Sequence, residues 1–238
     1  MMMRLVRKPR LRFLLVYPLV VWLFLSARTT EASLRLGIVL VLLGEAIRLW
    51  ANGYVGHVKV NQTDPGSDTA KRGVLITAGP YAYVQHPLYL GTFLIGVGMC
   101  VVARNPFAAV GALVFFLTVY RRKMRGEEEV LLHEWGAQYR AYHQQTPRWW
   151  PTGRRSAQRH GHWSWQGIWA SKEIKTLLWA GVCLIALYLR EEIIQEGQRL
   201  AALHEELKYR LWLGLLAVLI VADFLFELAR KTRYRPAP

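Results

Sequence analysis

Two cysteines are all this 238-residue chain has, Cys100 and Cys183, and both fall inside apolar runs, so no disulfide framework organises the fold. Acidic residues are scarce as well: 16 Asp and Glu stand against 31 Lys and Arg, leaving a formal charge of +15. In a soluble chain that excess would point to nucleic acid. Here the basic residues flank long runs with almost no charge, as a membrane protein carries them, and a nucleic-acid surface is set aside. Metal-ligand spacing is missing too, because His160-Gly161-His162 has no third ligand suitably placed, so residues 152–175 read as a basic, aromatic interfacial linker. No strand precedes Gly96-Val97-Gly98, which excludes a nucleotide loop and leaves close helix packing. A cleavable leader has only a weak small-residue pattern at Ser26 and Ala27 to support it, so the first apolar run is expected to stay.

What the chain has in abundance is apolar sequence, 53% of all residues. It falls into six runs: Leu11 to Ala27, Leu34 to Tyr54, Leu88 to Ala103, Pro106 to Tyr120, Ile174 to Leu189 and Leu211 to Ala229. A hydrocarbon core about 30 Å thick takes about 20 helical residues, so the fold class is all-α: a polytopic integral membrane protein of about six transmembrane helices. The third and fourth runs are short for a span, and polar flanks are expected to extend them into the headgroup layer. Placing both termini in the cytoplasm puts 23 Lys and Arg on that face and 7 on the other. The chain divides into N-terminal helices (1–55), a central core (56–151), and a linker with a C-terminal helix pair (152–238).

Inside the second run Glu45 and Arg48 share a helix face at i, i+3 where they can neutralise each other, and a charged pair inside the bilayer marks either a functional site or a structural ion pair between helices. Asp223 and Glu227 in the last run have no obvious basic neighbour nearer than Arg230, so they either face a polar cavity or lie near the helix end, the second being favoured. Residues 61–68, Asn-Gln-Thr-Asp-Pro-Gly-Ser-Asp, read as a solvated turn-rich loop. Asn61-Gln62-Thr63 there is a short glycosylation pattern on the cytoplasmic side and is discounted.

The stretch Gly79 to Gly91, Gly-Pro-Tyr-Ala-Tyr-Val-Gln-His-Pro-Leu-Tyr-Leu-Gly, is the functional candidate. Pro80 and Pro87 fix φ and push Gly79 and His86 towards extended conformations, giving a shaped loop that ends in a helix N-terminus with free amides beside His86 and Tyr89. Only Arg104-Asn105 separates the third run from the fourth, so a tight hairpin returns the chain to its starting face. That brings His86 and Tyr89 near Glu127 and Glu128, which open a helical segment reaching about His143. Acidic side chains for an ammonium or sulfonium, amides and an imidazole for a carboxylate, and aromatic faces for a purine together suit S-adenosylmethionine. Taken singly these are ordinary features: a capping histidine, an interfacial tyrosine, a solvated acidic helix start.

The run Gln85-His86-Pro87-Leu88-Tyr89-Leu90-Gly91, a hydrophobic hairpin, then Glu127-Glu128 resembles the Arg-His-Pro-x-Tyr-x-Gly and Glu-Glu signature of the isoprenylcysteine carboxyl methyltransferase and phospholipid methyltransferase family. Trp135-Gly136-x-x-Tyr139-x-x-Tyr142 followed by Thr146-Pro147-Arg148 is similar to its C-terminal pattern. The resemblance covers about residues 44–151, and Gln85 departs from it where the family has arginine. It implies an integral membrane methyltransferase with S-adenosylmethionine bound from the cytosol and a lipophilic or lipid-linked acceptor, its reacting group a carboxylate, an amine or a thiol, entering from the bilayer at the cytosolic leaflet. It further implies that Tyr81, His86, Pro87, Tyr89, Gly91, Glu127, Glu128 and Tyr139 form the cofactor pocket, with Glu128, Arg148 and Tyr142 serving the reaction and the acceptor. Residues 152–238 lie outside it, open to a role as portal, dimer surface or stabilising addition. Two other classes compete: an NADPH-dependent reductase of the sterol-reductase type, which calls for more basic residues around the pocket, and a non-enzymatic helical membrane scaffold or transporter, which calls for no cofactor.

Overall fold

The computed structural model describes residues 21–55, 75–153, 155–156, 159–171, 173–194 and 207–233. The turn-rich stretch 61–68, most of the first apolar run, and the acidic connection around Glu196, Glu205 and Glu206 lie outside them. Among the described residues every regular element is helical, as expected: α1 (Glu31–Val55), a 3-10 turn (Gly79–Ala82), α2 (Pro87–Ala103), α3 (Pro106–Gln145), α4 (Trp165–Ala170), α5 (Glu173–Ile194) and α6 (Leu207–Arg233). Residues 21–26 are helical too. By length and composition one described stretch, Arg210–Ala229 in α6, suffices to cross a membrane, and α2 is apolar but shorter.

The frame of the molecule is the antiparallel pair α1 and α2, the most extensive helix contact in the fold. Glycines allow it. A Cβ at Gly44 would lie 2.6 Å from the Gly91 carbonyl oxygen, and one at Gly98 would lie 2.8 Å from that of Gly37. Side chains there would force the backbones apart, whereas the bare pairs let Val41, Val102 and Ala103 be almost fully buried. Gly98 therefore packs as the sequence indicates; Gly96 does not, since nothing lies within 4 Å of its Cβ position.

α2 ends where Arg104 takes a left-handed conformation (φ 49°) and donates its amide to the Cys100 and Val101 carbonyls. Asn105 then caps α3 by accepting from the Ala108 amide at 3.0 Å, with Pro106 in the first turn. The turn is as tight as expected, but α2 and α3 then touch far less than α1 and α2 do. α3 runs for 40 residues, about 60 Å at 1.5 Å per residue, so polar sequence does prolong the short fourth run.

The C-terminal region is stitched into this frame rather than appended. At one end of α5, Arg190 donates to the Leu25 (2.6 Å) and Ala27 carbonyls, while Glu191 accepts the Thr29 amide at 3.0 Å. At the other end Glu173 takes Arg48 in a two-point ion pair, both contacts 2.8 Å. Arg48 thus pairs with Glu173, not with Glu45, because α5 brings a carboxylate onto the guanidinium fork whereas Glu45 lies along the same helix. Asp223 likewise has a partner sequence spacing could not offer, Lys175 of α5 at 3.2 Å. The linker is also less solvated than expected: the Thr77 and Ala78 amides donate to the His160 carbonyl, the Ser156 amide to Ala82, and the Ser164 amide to Gly53.

Candidate functional site

Pro80 starts the 3-10 turn, and its carbonyl accepts the Tyr83 and Val84 amides. Gly79 is left-handed (φ +62°) rather than extended, and a Cβ there would sit 2.1 Å from the Tyr54 ring. Both conformation and space exclude other residues at that point. Pro87 begins α2 with His86 in the cap position, but the Tyr89 and Leu90 amides donate to the His86 carbonyl at 3.1 Å, so Tyr89 offers no free amide. Gln85, buried, fastens the loop instead: its amide donates to the Pro147 carbonyl, its side-chain nitrogen to the His143 and Thr146 carbonyls, and its side-chain oxygen meets His143 Nδ1 at 2.9 Å. In the place where the family has arginine, this chain has a structural latch.

The loop and the acidic segment of α3 meet on one face. His86 Nε2 lies 3.0 Å from Glu128 Oε1, the Tyr89 hydroxyl donates to Glu127 Oε1, and Arg148 grips Glu128 through Nε (2.9 Å) and Nη2. Burial works against the Glu128 charge, but the hydrogen bonds and charges of His86 and Arg148 outweigh it and hold the carboxyl at about 2. An ionised carboxylate only accepts, so His86 Nε2 carries the proton in this contact.

α3 bends to complete the wall. Gly136 takes φ 47°, ψ −114° inside the helix, a conformation for glycine, and beyond it Tyr139 and Tyr142 turn onto Leu75 in one buried cluster. The Tyr142 hydroxyl donates to the Tyr81 carbonyl at 2.7 Å. Burial raises the pKa values of Tyr81, Tyr139 and Tyr142, with neighbouring tyrosines or carboxylates adding to it, so these phenols act as neutral donors and not as bases.

Together these groups enclose a cavity of about 480 Å³. Tyr81, His86, Pro87, Tyr89, Glu127, Tyr139 and Tyr142 line it. Glu128 and Arg148 do not; they stand behind His86. Gly91 is a correction to the sequence reading, since it turns to α1, where a Cβ would meet Arg48 and the Gly44 carbonyl. The wall also holds residues that sequence reasoning did not select: Arg48 and Asn52 from α1, Thr92 from α2, Tyr120 and Lys123 from α3. Lys123 Nζ lies 5.1 Å from the Tyr89 ring centre. Arg48 and Asn52, polar at i, i+4 on an apolar helix, were the available signal.

The Tyr139 hydroxyl, in the wall of this cavity, is buried without a hydrogen-bond partner. A buried hydroxyl left unpaired costs about 1–3 kcal/mol, so its place beside Glu127 fits a ligand that brings its own polar atoms. Among the described residues no group of three His, Cys, Asp or Glu is placed to hold a metal ion.

Comparison with known proteins bears on this site. The pattern of the isoprenylcysteine carboxyl methyltransferase family matches residues 35–133. The chain is 31% identical over 115 residues to the protein-S-isoprenylcysteine O-methyltransferase of Homo sapiens, covering 47% of this chain and 38% of that protein. It is 35% identical over 118 residues to the Rattus norvegicus enzyme of that name, with the same coverage. With that of Saccharomyces cerevisiae it shares 30% over 122 residues, 50% of this chain and 49% of the relative. The chain thus spans less than half the length of these relatives. No solved structure matches it significantly.

Proposed function

We propose, from the match of residues 35–133 to the isoprenylcysteine carboxyl methyltransferase family, that this chain is an integral membrane methyltransferase using S-adenosylmethionine and a lipid-linked acceptor. The observation that carries the reading is the cavity between the His86 loop and α3: an acidic side chain, three buried tyrosines and an unpartnered hydroxyl in one enclosure, within and just beyond the matched region.

Bound there, S-adenosylmethionine would supply an electrophilic methyl group on a sulfonium. The chain's own residues supply binding and alignment. Glu127 favours an ammonium or sulfonium, and the faces of Tyr81, Tyr139 and Tyr142 suit a purine or a cation. Tyr89 and His86, tied to Glu127 and Glu128, are held rigid at the helix start, so little ordering remains to be done when a ligand enters. A carboxylate acceptor takes the methyl through an oxygen lone pair while the electrons of the broken C–S bond stay on sulfur, and no general base is needed. What the enzyme must do is hold the reacting atoms in line and keep water out. The phenols, protonated and buried, meet that need.

For the acceptor, the names of the relatives favour an S-prenylated cysteine carboxylate, and an apolar cavity of about 1020 Å³ beside the tyrosine cavity supplies room for such a chain. Six spans, with both termini and the cavity on the cytosolic side, are the topology that the charge distribution favours. A thermal-shift titration of the detergent-purified protein with S-adenosylhomocysteine and with NADPH tests the assignment. Stabilisation by S-adenosylhomocysteine alone is expected; stabilisation by NADPH alone overturns it in favour of a reductase.

A further inference from the structure

Two cavities adjoin in this molecule. The tyrosine cavity lies between α1, the His86 loop and α3, and the larger apolar one between α1, α2 and α3, with Leu36, Val97 and Phe115 in its wall. Among the described residues, Thr92 and Tyr120 alone line both. Transfer between a ligand in one and a ligand in the other has to pass these two side chains.

Thr92 is held by a line of contacts that begins outside the matched region. Glu173, in the first turn of α5, grips Arg48 Nε and Nη2 at 2.8 Å each. Arg48 Nη1 is thereby aimed at the Thr92 hydroxyl, and also at the Leu88 carbonyl at 3.3 Å. The Thr92 hydroxyl donates to Leu88 O at 2.8 Å, so both its donor and acceptor roles are used and its rotamer is fixed. The Arg48 and Glu173 side chains are 16% and 11% exposed, which makes an unpaired partner costly. A competitor is at hand: Glu45, one turn earlier on α1 and 1% exposed, has no hydrogen-bond partner for either carboxylate oxygen.

We propose that Glu173, acting through Arg48, is a positioning residue for Thr92 at the junction of the two cavities, so that α5 completes the site. The inference rests on the methyltransferase reading, with donor in the tyrosine cavity and acceptor chain in the apolar one. Glu173 wins Arg48 from Glu45; without its charge the guanidinium turns to Glu45 and releases Thr92. The consequence is poor alignment of the two ligands, not loss of either.

The test compares Glu173→Gln, Thr92→Val, Thr92→Ser and the double variant Glu45→Gln/Glu173→Gln with wild type. Asp223→Asn, which breaks the ion pair of Lys175 in α5, controls for simple destabilisation. Readouts are S-adenosylhomocysteine affinity, melting temperature, and kcat and KM for methylation of an S-farnesylated cysteine derivative in detergent. Glu173→Gln and Thr92→Val are expected to lower kcat about tenfold with S-adenosylhomocysteine affinity within about twofold of wild type. Thr92→Ser and the double variant should recover most of that kcat, and Asp223→Asn should lower only the melting temperature. If Glu173→Gln and Thr92→Val match Asp223→Asn in kcat, or weaken S-adenosylhomocysteine instead, the positioning role is overturned while the methyltransferase reading stands. A wild type that neither binds S-adenosylhomocysteine nor methylates the probe overturns both.

Discussion

The core matched by the family pattern and the C-terminal region beyond it are built on opposite principles. The core, 35–133, places its polar groups at one face, where His86, Tyr89, Glu127 and Glu128 meet in a cluster. The C-terminal region has polar groups spread singly along its length that hold the rest of the chain: Glu173 holds Arg48, Arg190 holds the carbonyls of residues 25 and 27, and the His160 carbonyl holds the amides of 77 and 78. A cluster is what chemistry requires; separate clamps are what a frame requires. The difference teaches that the region without a motif still fixes the shape of the region that has one.

Breaking the frame should do more harm than breaking the cluster. Gly44→Val puts atoms against the Gly91 backbone that cannot move aside, and a loss of about 3 kcal/mol or more is expected, read as absence of a cooperative melt in detergent. Glu128→Ala should leave the fold standing, with only His86 and Arg148 released, and weaken S-adenosylhomocysteine about tenfold by titration calorimetry; binding equal to wild type would remove the cluster from the site. Gly136→Ala forces a side chain into a conformation that only glycine takes readily and should cost about 1–3 kcal/mol in chemical denaturation, enough to loosen the Tyr139 and Tyr142 wall.

The pH dependence separates cluster from frame more finely. The Glu128 carboxyl lies at about 2 in the folded protein against an ordinary 4.5, so its contribution to stability is full above about pH 4.5 and is lost as the pH falls towards 2. A melting-temperature profile from pH 6 to 3 should therefore fall less steeply in Glu128→Gln than in wild type. At the small end, His160→Ala should change stability by less than about 0.5 kcal/mol, because that residue's hydrogen bonds among the described residues run through its backbone.

Much of this was legible in the residues themselves. Apolar run lengths mark the helices, Arg104-Asn105-Pro106 marks the turn, and a turn that short obliges the His86 loop and Glu128 to share a face. What stayed hidden depends on contacts between distant segments. Spacing along one helix can be counted and points Arg48 to Glu45, while Glu173, 125 positions away, cannot be found without α5 in place. Gly91 carries a motif position yet serves the α1 contact, since the side of a helix that faces a cavity is set by its neighbours. The proline rule points Gly79 to an extended conformation because it describes the preceding residue on average, whereas a glycine is free to take the left-handed one it has here.

The paired glycines of α1 and α2 recur at seven-residue intervals on both helices, 37 with 98 and 44 with 91. Two such notches fix these helices like a key in a lock: sliding by one residue would drive Cβ atoms into carbonyls at both points at once. Any widening needed to admit a ligand must then come from α3, which leaves its partner after residue 105 and bends again at Gly136. The wall left to give is the long helix, and its anvil is the glycine pair.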